Sequence, residues 1–265
     1  MKLAVASIPP WWMAGLRFAV AGLLLWGWCR VRGRPLPSRA HAIGAALSGV
    51  VLLVLGNAVF AWTLQYLPSG IDALVFALSP LWMAIFGFVL YRERLSGLAA
   101  FGLLVGLGGM VYLYSPSGAQ HLPAVPTAIA LGTSLVWGFG SMFQRRLDKT
   151  DLVQTSALQM LAAAAVLLVM AVLAGERLTP TEFTPSAAGA LAYLVVFGSI
   201  VGFSAYLWLM SHVSTTLGST YSYVNPVVSL GIGIGLLHEP FSWRLVFGAG
   251  VILSGVALMV LAPRR

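Results

Sequence analysis

Ionisable side chains are scarce in this 265-residue chain, so those that fall within apolar stretches carry the most information. Arg17 is the one unambiguous base inside such a stretch. A charge at that depth in hydrocarbon costs ~2.5–3.5 kcal/mol on insertion scales, so it must face protein or water and have a partner. A substrate carboxylate, free helix carbonyls, or a structural tie between the first helices would each meet that need. Asp72 is the one acid beside an apolar stretch that lacks flanking bases. Protonation of a desolvated carboxylate there suits proton coupling, while an acid in the first helical turn after Pro68-Ser69-Gly70 is favoured by the helix dipole alone, the simpler reading.

Polar and aromatic residues supply the rest of the candidate chemistry. Gly218, Ser222, Asn225 and Ser229 recur at helical spacing, and a polar stripe within lipid must face other protein. Trp62, Trp82, Trp137, Tyr206, Trp208, Tyr221 and Tyr223 suit a lining for flat or amphipathic solutes, with an interfacial belt as the competing reading for Trp62, Tyr206 and Trp208. Trp11, Trp12 and Trp243 read as belt residues. Enzymatic chemistry finds no support. His41, His121, His212 and His238 lack metal-ligand spacing, Cys29 is a lone thiol, and Lys149 follows Asp148 rather than Gly, which excludes a Walker A loop. No cofactor and no metal is called for.

The elements that must position these residues follow from composition. The chain is 59% hydrophobic and 8% charged, with a mean hydropathy of +0.92, whereas a soluble domain carries about 25% charge. Its solvent is the lipid bilayer. A net charge of +8 would otherwise hint at nucleic acid, but no basic patch with interleaved aromatics exists. Nine apolar stretches approach the ~20 residues that cross a bilayer: 10–29, 42–64, 71–91, 97–114, 124–143, 152–174, 187–208, 217–237 and 243–261. They are continuous rather than alternating, which excludes a β-barrel. Eleven bases (Arg30, Arg32, Arg34, Arg39, Arg92, Arg94, Arg145, Arg146, Lys149, Arg264, Arg265) fall on one set of alternate loops, and three (Lys2, Arg177, Arg244) on the other. The positive-inside rule makes the first set cytoplasmic, with the C-terminus inside. The residues before Pro9-Pro10 do not form a secretory signal.

The chain also matches itself. At an offset of 146, residues 56–113 align with 202–259 without gaps. Twelve pairs are identical: Gly56/Gly202, Trp62/Trp208, Pro80/Pro226, Gly87/Gly233, Glu93/Glu239, Ser96/Ser242, Phe101/Phe247, Gly102/Gly248, Val105/Val251 and Gly109/Gly255, with the commoner Leu90/Leu236 and Leu107/Leu253. Chance supplies roughly half that number, so the retained Pro, Trp and Glu carry the argument. Arg17 and Gln159 occupy similar places in the preceding spans at an offset of 142. The halves are 1–114 and 124–262, and the complete pattern is two copies of five helices, of which nine spans are present; the absent one would precede Met1. An odd count per copy inverts the second, giving an all-α integral membrane inverted repeat of the kind that binds substrate between its copies. Pro80 and Pro226 sit mid-span and free a backbone carbonyl, and paired interruptions of this kind point to the binding site. Ser96 and Ser242 read as helix N-caps, each three residues after Glu93 or Glu239, whose roles are gating contacts or helix-start electrostatics. Gly102/Gly106, Gly198/Gly202 and Gly231/Gly235 allow close helix packing.

Several motifs resemble EamA-type permeases of the drug/metabolite transporter superfamily: Pro9-Pro10-Trp11-Trp12-Met13-Ala14-Gly15-Leu16-Arg17-Phe18, Gly56-Asn57, Pro68-Ser69-Gly70, the Pro80 helix closing on Glu93, Trp137-Gly138, Ala174-Gly175-Glu176-Arg177-Leu178-Thr179 and Tyr223-Val224-Asn225-Pro226-Val227-Val228. The resemblance implies a ten-helix inverted repeat in the inner membrane, with both termini cytoplasmic, that exports small metabolites, amino acids or drugs. The family's first helix carries a Trp-Gly motif that residues 1–7 do not supply. The candidate cavity residues are thus Arg17, Asn57, Asp72, Ser79, Pro80, Trp82, Trp137, Gln159, Tyr206, Ser222, Asn225, Pro226 and Ser229. A non-transporting membrane assembly protein is the alternative.

Overall fold

The computed structural model describes residues 8–63, 65–67, 75–114, 123–145, 147, 151–178, 184–224 and 243–262. Among them the elements are helices throughout: α1 (Pro10–Val31), α2 (Arg39–Thr63), α3 (Ser79–Tyr91), α4 (Gly97–Tyr114), α5 (Ala124–Gln144), α6 (Leu152–Leu173), α7 (Pro185–His212), the short α8 (Thr215–Ser219) and α9 (Trp243–Leu261). Of these, α1, α2, α5, α6 and α7 are long and apolar enough to cross a membrane by themselves, and α3, α4 and α9 contribute shorter apolar stretches. Asp72, Asn225, Pro226, Ser229, Gly231, Gly235, Glu239 and Ser242 lie outside the described residues.

The chain forms two compact units, each drawing on both halves of the sequence. One comprises Met1–Trp62 with Phe143–His212, the other Thr63–Met142 with Val213–Arg265.

The first unit is organised around α1 and α6, which are related by the offset of 142 residue for residue. Pro10–Val31 maps onto Leu152–Leu173. Both helices end in the same way. Gly33 and Gly175 adopt φ +66° and +71°, the left-handed geometry that a residue without Cβ takes most readily. Arg34 N–H donates to Cys29 O and Gly33 N–H to Arg30 O; at the other site Glu176 N–H donates to Ala171 O and Gly175 N–H to Val172 O, all at 3.0 Å. These are Schellman caps, which satisfy carbonyls left free at a helix end. A Cβ on Gly15 or Gly22 would meet the side chains of Leu168 or Leu161 at 2.8 and 2.9 Å. Rising residue numbers on α1 thus meet falling numbers on α6, so the two equivalent helices run antiparallel, as an inverted repeat requires. Small residues permit the approach, because lipid gives no hydrophobic drive to helix association and close packing must supply it.

The next pair of helices is equivalent at the offset of 146. Ser38 Oγ accepts from His41 N–H before α2, and Thr184 Oγ1 accepts from Ala187 N–H before α7, both at 3.2 Å. Seven residues (32–38) join α1 to α2 and eleven (174–184) join α6 to α7. That difference of four is the step between the two offsets. Each of these helices widens into a π-helical segment, Val50–Ala58 in α2 and Leu194–Val201 in α7. Val59 N–H reaches back to Val54 O and Gly202 N–H to Phe197 O, the five-residue spacing of a π turn.

In the second unit α4 and α9 are the antiparallel equivalents. A Cβ on Gly109 would lie 3.0 Å from Ile252 N, and one on Gly255 would lie 2.5 Å from Gly106 N. Around this contact Ala77, Ala84, Leu103, Met110, Tyr223, Ile252 and Met259 form a buried core. The span expected over 71–91 is interrupted just before Pro80, as a mid-span proline implies: Val75 and Phe76 are helical. Ala77 and Leu78 form a turn and a helix begins at Ser79, with Pro80 in its first turn. Pro80 therefore opens a helix, where its missing N–H would have had no partner, rather than kinking one. Ser79 Oγ donates to Phe76 O across the break at 2.7 Å.

Large apolar side chains cover the outside of both units. Leu23, Leu24, Leu47, Val169, Val172 and Phe197 of the first and Phe88, Phe101, Leu104 and Phe247 of the second are exposed, a surface suited to lipid and not to water.

Candidate functional site

Two buried polar nodes lie within the first unit, one toward each end of the α1/α6 pair. At the first, Arg17 of α1 is 6% exposed, and its Nε donates to Ser199 Oγ at 2.6 Å. Ser199 belongs to the π segment of α7. The guanidinium also lies over the Phe18 ring at 4.9 Å. A Cβ on Gly198 would fall 3.0 Å from Arg17 Nη2. Gly198 therefore makes room for a side chain of the neighbouring helix α1, whereas Gly202 approaches only Phe197 O of its own helix.

At the second node, Gln159 of α6 donates from Nε2 to Ser48 Oγ at 3.1 Å and to Gln144 Oε1, and Ser48 Oγ donates to Gln144 Oε1 at 2.7 Å. Ser48 and Gln159 are fully buried. Gly49, at the entry to the π segment of α2, lets the two backbones approach so closely that a Cβ would sit 2.5 Å from Gln159 Cα. Arg17 and Gln159 thus do more than occupy corresponding places. Each reaches from its own half of the sequence to the π-bearing helix of the other half. Gln159 Oε1 and Asn57 Oδ1 are buried without a hydrogen-bond partner among the described residues, a situation that costs ~1–3 kcal/mol per group.

The ends of the α1/α6 pair are clasped. Arg34 pairs with Asp151, whose side chain also caps α6 by accepting from Gln154 N–H at 2.9 Å. Position 34 is equivalent to 176 at the offset of 142, and Glu176 performs the matching task at the other end. Its carboxylate accepts from Trp12 N–H at 3.2 Å and Trp11 N–H at 3.4 Å, and Trp12 Nε1 donates to Glu176 O at 3.0 Å. Neither clasp is evident from sequence, because Arg34 reads there only as a loop base and Glu176 only as part of a family motif. The repeat offset was the signal that could have found them.

Burial pushes the Glu176 carboxyl above its ordinary value of 4.5, against the pull of the two backbone N–H groups. A raised carboxyl means that the folded protein binds this proton more tightly than the unfolded chain does. Its contribution to stability therefore grows as pH falls from above the raised value toward 4.5, and shrinks as pH rises. Glu176→Gln keeps an oxygen acceptor for the helix end and removes the charge. The melting temperature of the wild type relative to this variant is expected to increase on acidification from pH 7 to 4.5; a relative decrease would show that the N–H bonds outweigh desolvation.

In the second unit α3, α5 and the segment following α8 bring a separate set together. The Ser79 and Ser222 hydroxyls lie 3.3 Å apart, both residues buried, so the polar stripe that includes Ser222 meets α3 here. Trp82 Nε1 donates to Ser134 Oγ at 3.1 Å, Trp137 Nε1 donates to the Tyr221 hydroxyl, and the Phe76 and Trp137 rings stand 5.6 Å apart. Gly138 admits the Trp82 side chain, whose Cβ lies 2.6 Å from where its own Cβ would be. Ser134 was not foreseen. Tyr206 belongs to the first unit, where it is buried and stacked on Phe203. Trp208, by contrast, is 55% exposed against His212, as a belt residue would be. Glu93 sits in the short connection 92–96, where Arg92 turns the chain at φ +58° and Ser96 Oγ accepts from Ala99 N–H at the start of α4.

Comparison with known proteins bears on this geometry. The EamA-like transporter family matches residues 1–115 and 126–261. An uncharacterized inner membrane transporter of Escherichia coli strain K12, YedA, is 38% identical over 264 residues, covering 98% of this chain and 85% of that protein. An uncharacterized transporter of Bacillus subtilis strain 168, YvbV, is 23% identical over 259 residues, covering 97% and 85%. A solved crystal structure shares the fold, with a TM-score of 0.81 and 24% identity over 97% of this chain and 91% of that one. The all-α two-repeat architecture and the residues matched agree: this chain belongs to the EamA-like transporter family.

Proposed function

We propose that this membrane transporter is a secondary carrier that exports small metabolites, amino acids or drugs across the inner membrane by alternating access, with its C-terminus in the cytoplasm. The observation that carries the reading is the set of helix interruptions: the break before Pro80 in α3, and π segments in the equivalent helices α2 and α7. Irregular backbone at membrane depth is tolerated where it lines a cavity or is buried in protein. Buried acceptors without partners at Gln159 and Asn57 suit a solute or water that brings N–H or O–H donors. Within the second unit, the aromatic set around Trp82 and Trp137 by itself suits a flat or amphipathic solute. Asp72 remains the proposed proton-coupling acid. The eleven-to-three split of loop bases supports the orientation.

The test is flux from proteoliposomes loaded with radiolabelled amino acids or with ethidium, with and without an imposed pH gradient. Protein-dependent efflux that saturates with solute supports the carrier. Absence of flux for the whole panel, in protein that is folded and correctly inserted, favours a membrane assembly role instead.

A further inference from the structure

We infer that Arg17 and Gln159 are paired positioning residues, each fixing the helical register of the π-bearing helix contributed by the other half of the chain. This inference rests on the carrier reading. Three observations converge on it. The π segments Val50–Ala58 and Leu194–Val201 lie in helices whose N-caps, Ser38 and Thr184, are equivalent. Arg17 bonds Ser199 inside one of them, and Gln159 bonds Ser48 and packs on Gly49 at the entry to the other. One polar node therefore bonds inside a π segment, and the other bonds the residue two before a π segment begins.

A π turn carries one residue more than an α turn. Returning it to α spacing rotates everything beyond it by about 100° and moves it by about 1.5 Å along the axis. In α7 the part that would turn is Gly202–His212, where buried Phe203, Tyr206 and Leu207 alternate with exposed Trp208. In α2 it is Val59–Thr63. Such a step changes which side chains face the interior without unfolding the helix or breaking the α1/α6 pair. The hydroxyls of Ser199 and Ser48 are what Arg17 and Gln159 hold, so losing a node frees the register of one helix and leaves the other fixed. The nodes differ in strength, because the first is charge-assisted and the second joins neutral groups.

The experiment is a nitroxide scan in lipid, in a Cys29→Ala background, with labels placed one at a time at 202–212 and at 59–63. Oxygen accessibility along a helix oscillates with its period, and a register change moves the phase of that oscillation. Arg17→Gln and Ser199→Ala are expected to move the accessibility maximum in 202–212 by one residue while 59–63 keeps its phase. Gln159→Ala and Ser48→Ala are expected to do the reverse. Arg17→Lys keeps the charge but places a methylene where Nε donates, so it is expected to move the phase as Arg17→Gln does. The two serine variants lose only a hydroxyl, which guards against a result that merely reports misfolding. Unchanged phase in every variant, or equal change in both helices from either node, overturns the inference. Where the wild type transports, Ser199→Ala should alter turnover with KM unchanged. Absence of wild-type flux would defeat the carrier reading alone, since the phase measurement needs no substrate.

Discussion

Gly49→Ala is expected to lower stability by ~3 kcal/mol or more, the upper end of what overpacking costs. The position is small in sequence terms and unremarkable in composition, yet the added methyl would point at the backbone of Gln159, 2.5 Å from its Cα. Backbone cannot swing aside as a side chain can, so α2 and α6 must separate along their contact. Separation also loosens the hydrogen bonds among Ser48, Gln144 and Gln159, whose donors and acceptors are sealed from water. Gly44→Ala, one turn and a half earlier, meets only the terminal Cδ2 of Leu147, which can rotate away, so its effect should be much smaller. Gly27→Ala has open space around it and is expected to be neutral or slightly stabilising, because Ala has the higher helix propensity. Thermal unfolding in detergent ranks the three. For a chain of this size a loss of ~3 kcal/mol corresponds to a drop of roughly 6–12 °C in Tm. Equal midpoints for Gly49→Ala and Gly27→Ala would show that α2 does not approach α6 as closely as described.

The repeat is legible in the sequence through the retained Pro80/Pro226, Trp62/Trp208 and Glu93/Glu239 pairs. The structure extends it to Gly33 and Gly175, where a Schellman cap requires φ > 0, and to Ser38 and Thr184, where a helix start requires an acceptor. Local requirements of this kind are readable from short windows. The nodes were only half readable. Arg17 and Gln159 are visible as polar residues in apolar spans, but their partners are not, since Ser48 and Ser199 are ordinary hydroxyls that become significant only when two distant segments meet. The π segments left no signal in hydropathy, because one extra residue in an apolar run changes neither its length class nor its composition. Pro80 shows a different limit. A mid-span proline is compatible with a kink and with a new helix start, and the choice between them lies with the turn at Ala77–Leu78 that precedes it. Gly198 shows a related limit: a small residue marks close approach without saying whether backbone or a guanidinium of the neighbouring helix is what approaches.

Gly255→Ala tests the same logic in the second unit, where the approach is backbone to backbone. A Cβ at Gly255 would lie 2.5 Å from Gly106 N, 2.7 Å from Gly102 O and 2.8 Å from Gly106 Cα. All three atoms belong to the main chain of α4, and no rotamer change relieves them. The expected cost is on the order of 1–3 kcal/mol, from strain and from dispersion lost where α4 and α9 are pushed apart. The core cluster of Leu103, Met110, Tyr223, Ile252 and Met259 spans that contact, so the loss is not confined to the substituted residue. Gly250→Ala, on the same helix but with nothing within 4 Å, is the matched control and should leave the midpoint near that of the wild type. Gly102→Ala meets Gly255 O at 2.8 Å, the same contact approached from α4. Once one substitution has separated the helices, the second finds its clash already relieved. The double variant should therefore lose less than the sum of the two single losses, a coupling of the kind expected only of residues in contact. Additive losses would mean that the two glycines act at separate places. Indistinguishable midpoints for Gly255→Ala and Gly250→Ala would remove the backbone contact between α4 and α9 as a determinant of stability. Because Gly109 and Gly255 are equivalent by the repeat and each faces the other's helix, Gly109→Ala should repeat the effect in milder form: it meets Ile252 Cγ1 at 2.9 Å and Ile252 N at 3.0 Å, a side chain that can shift and a main-chain atom that is less tightly approached.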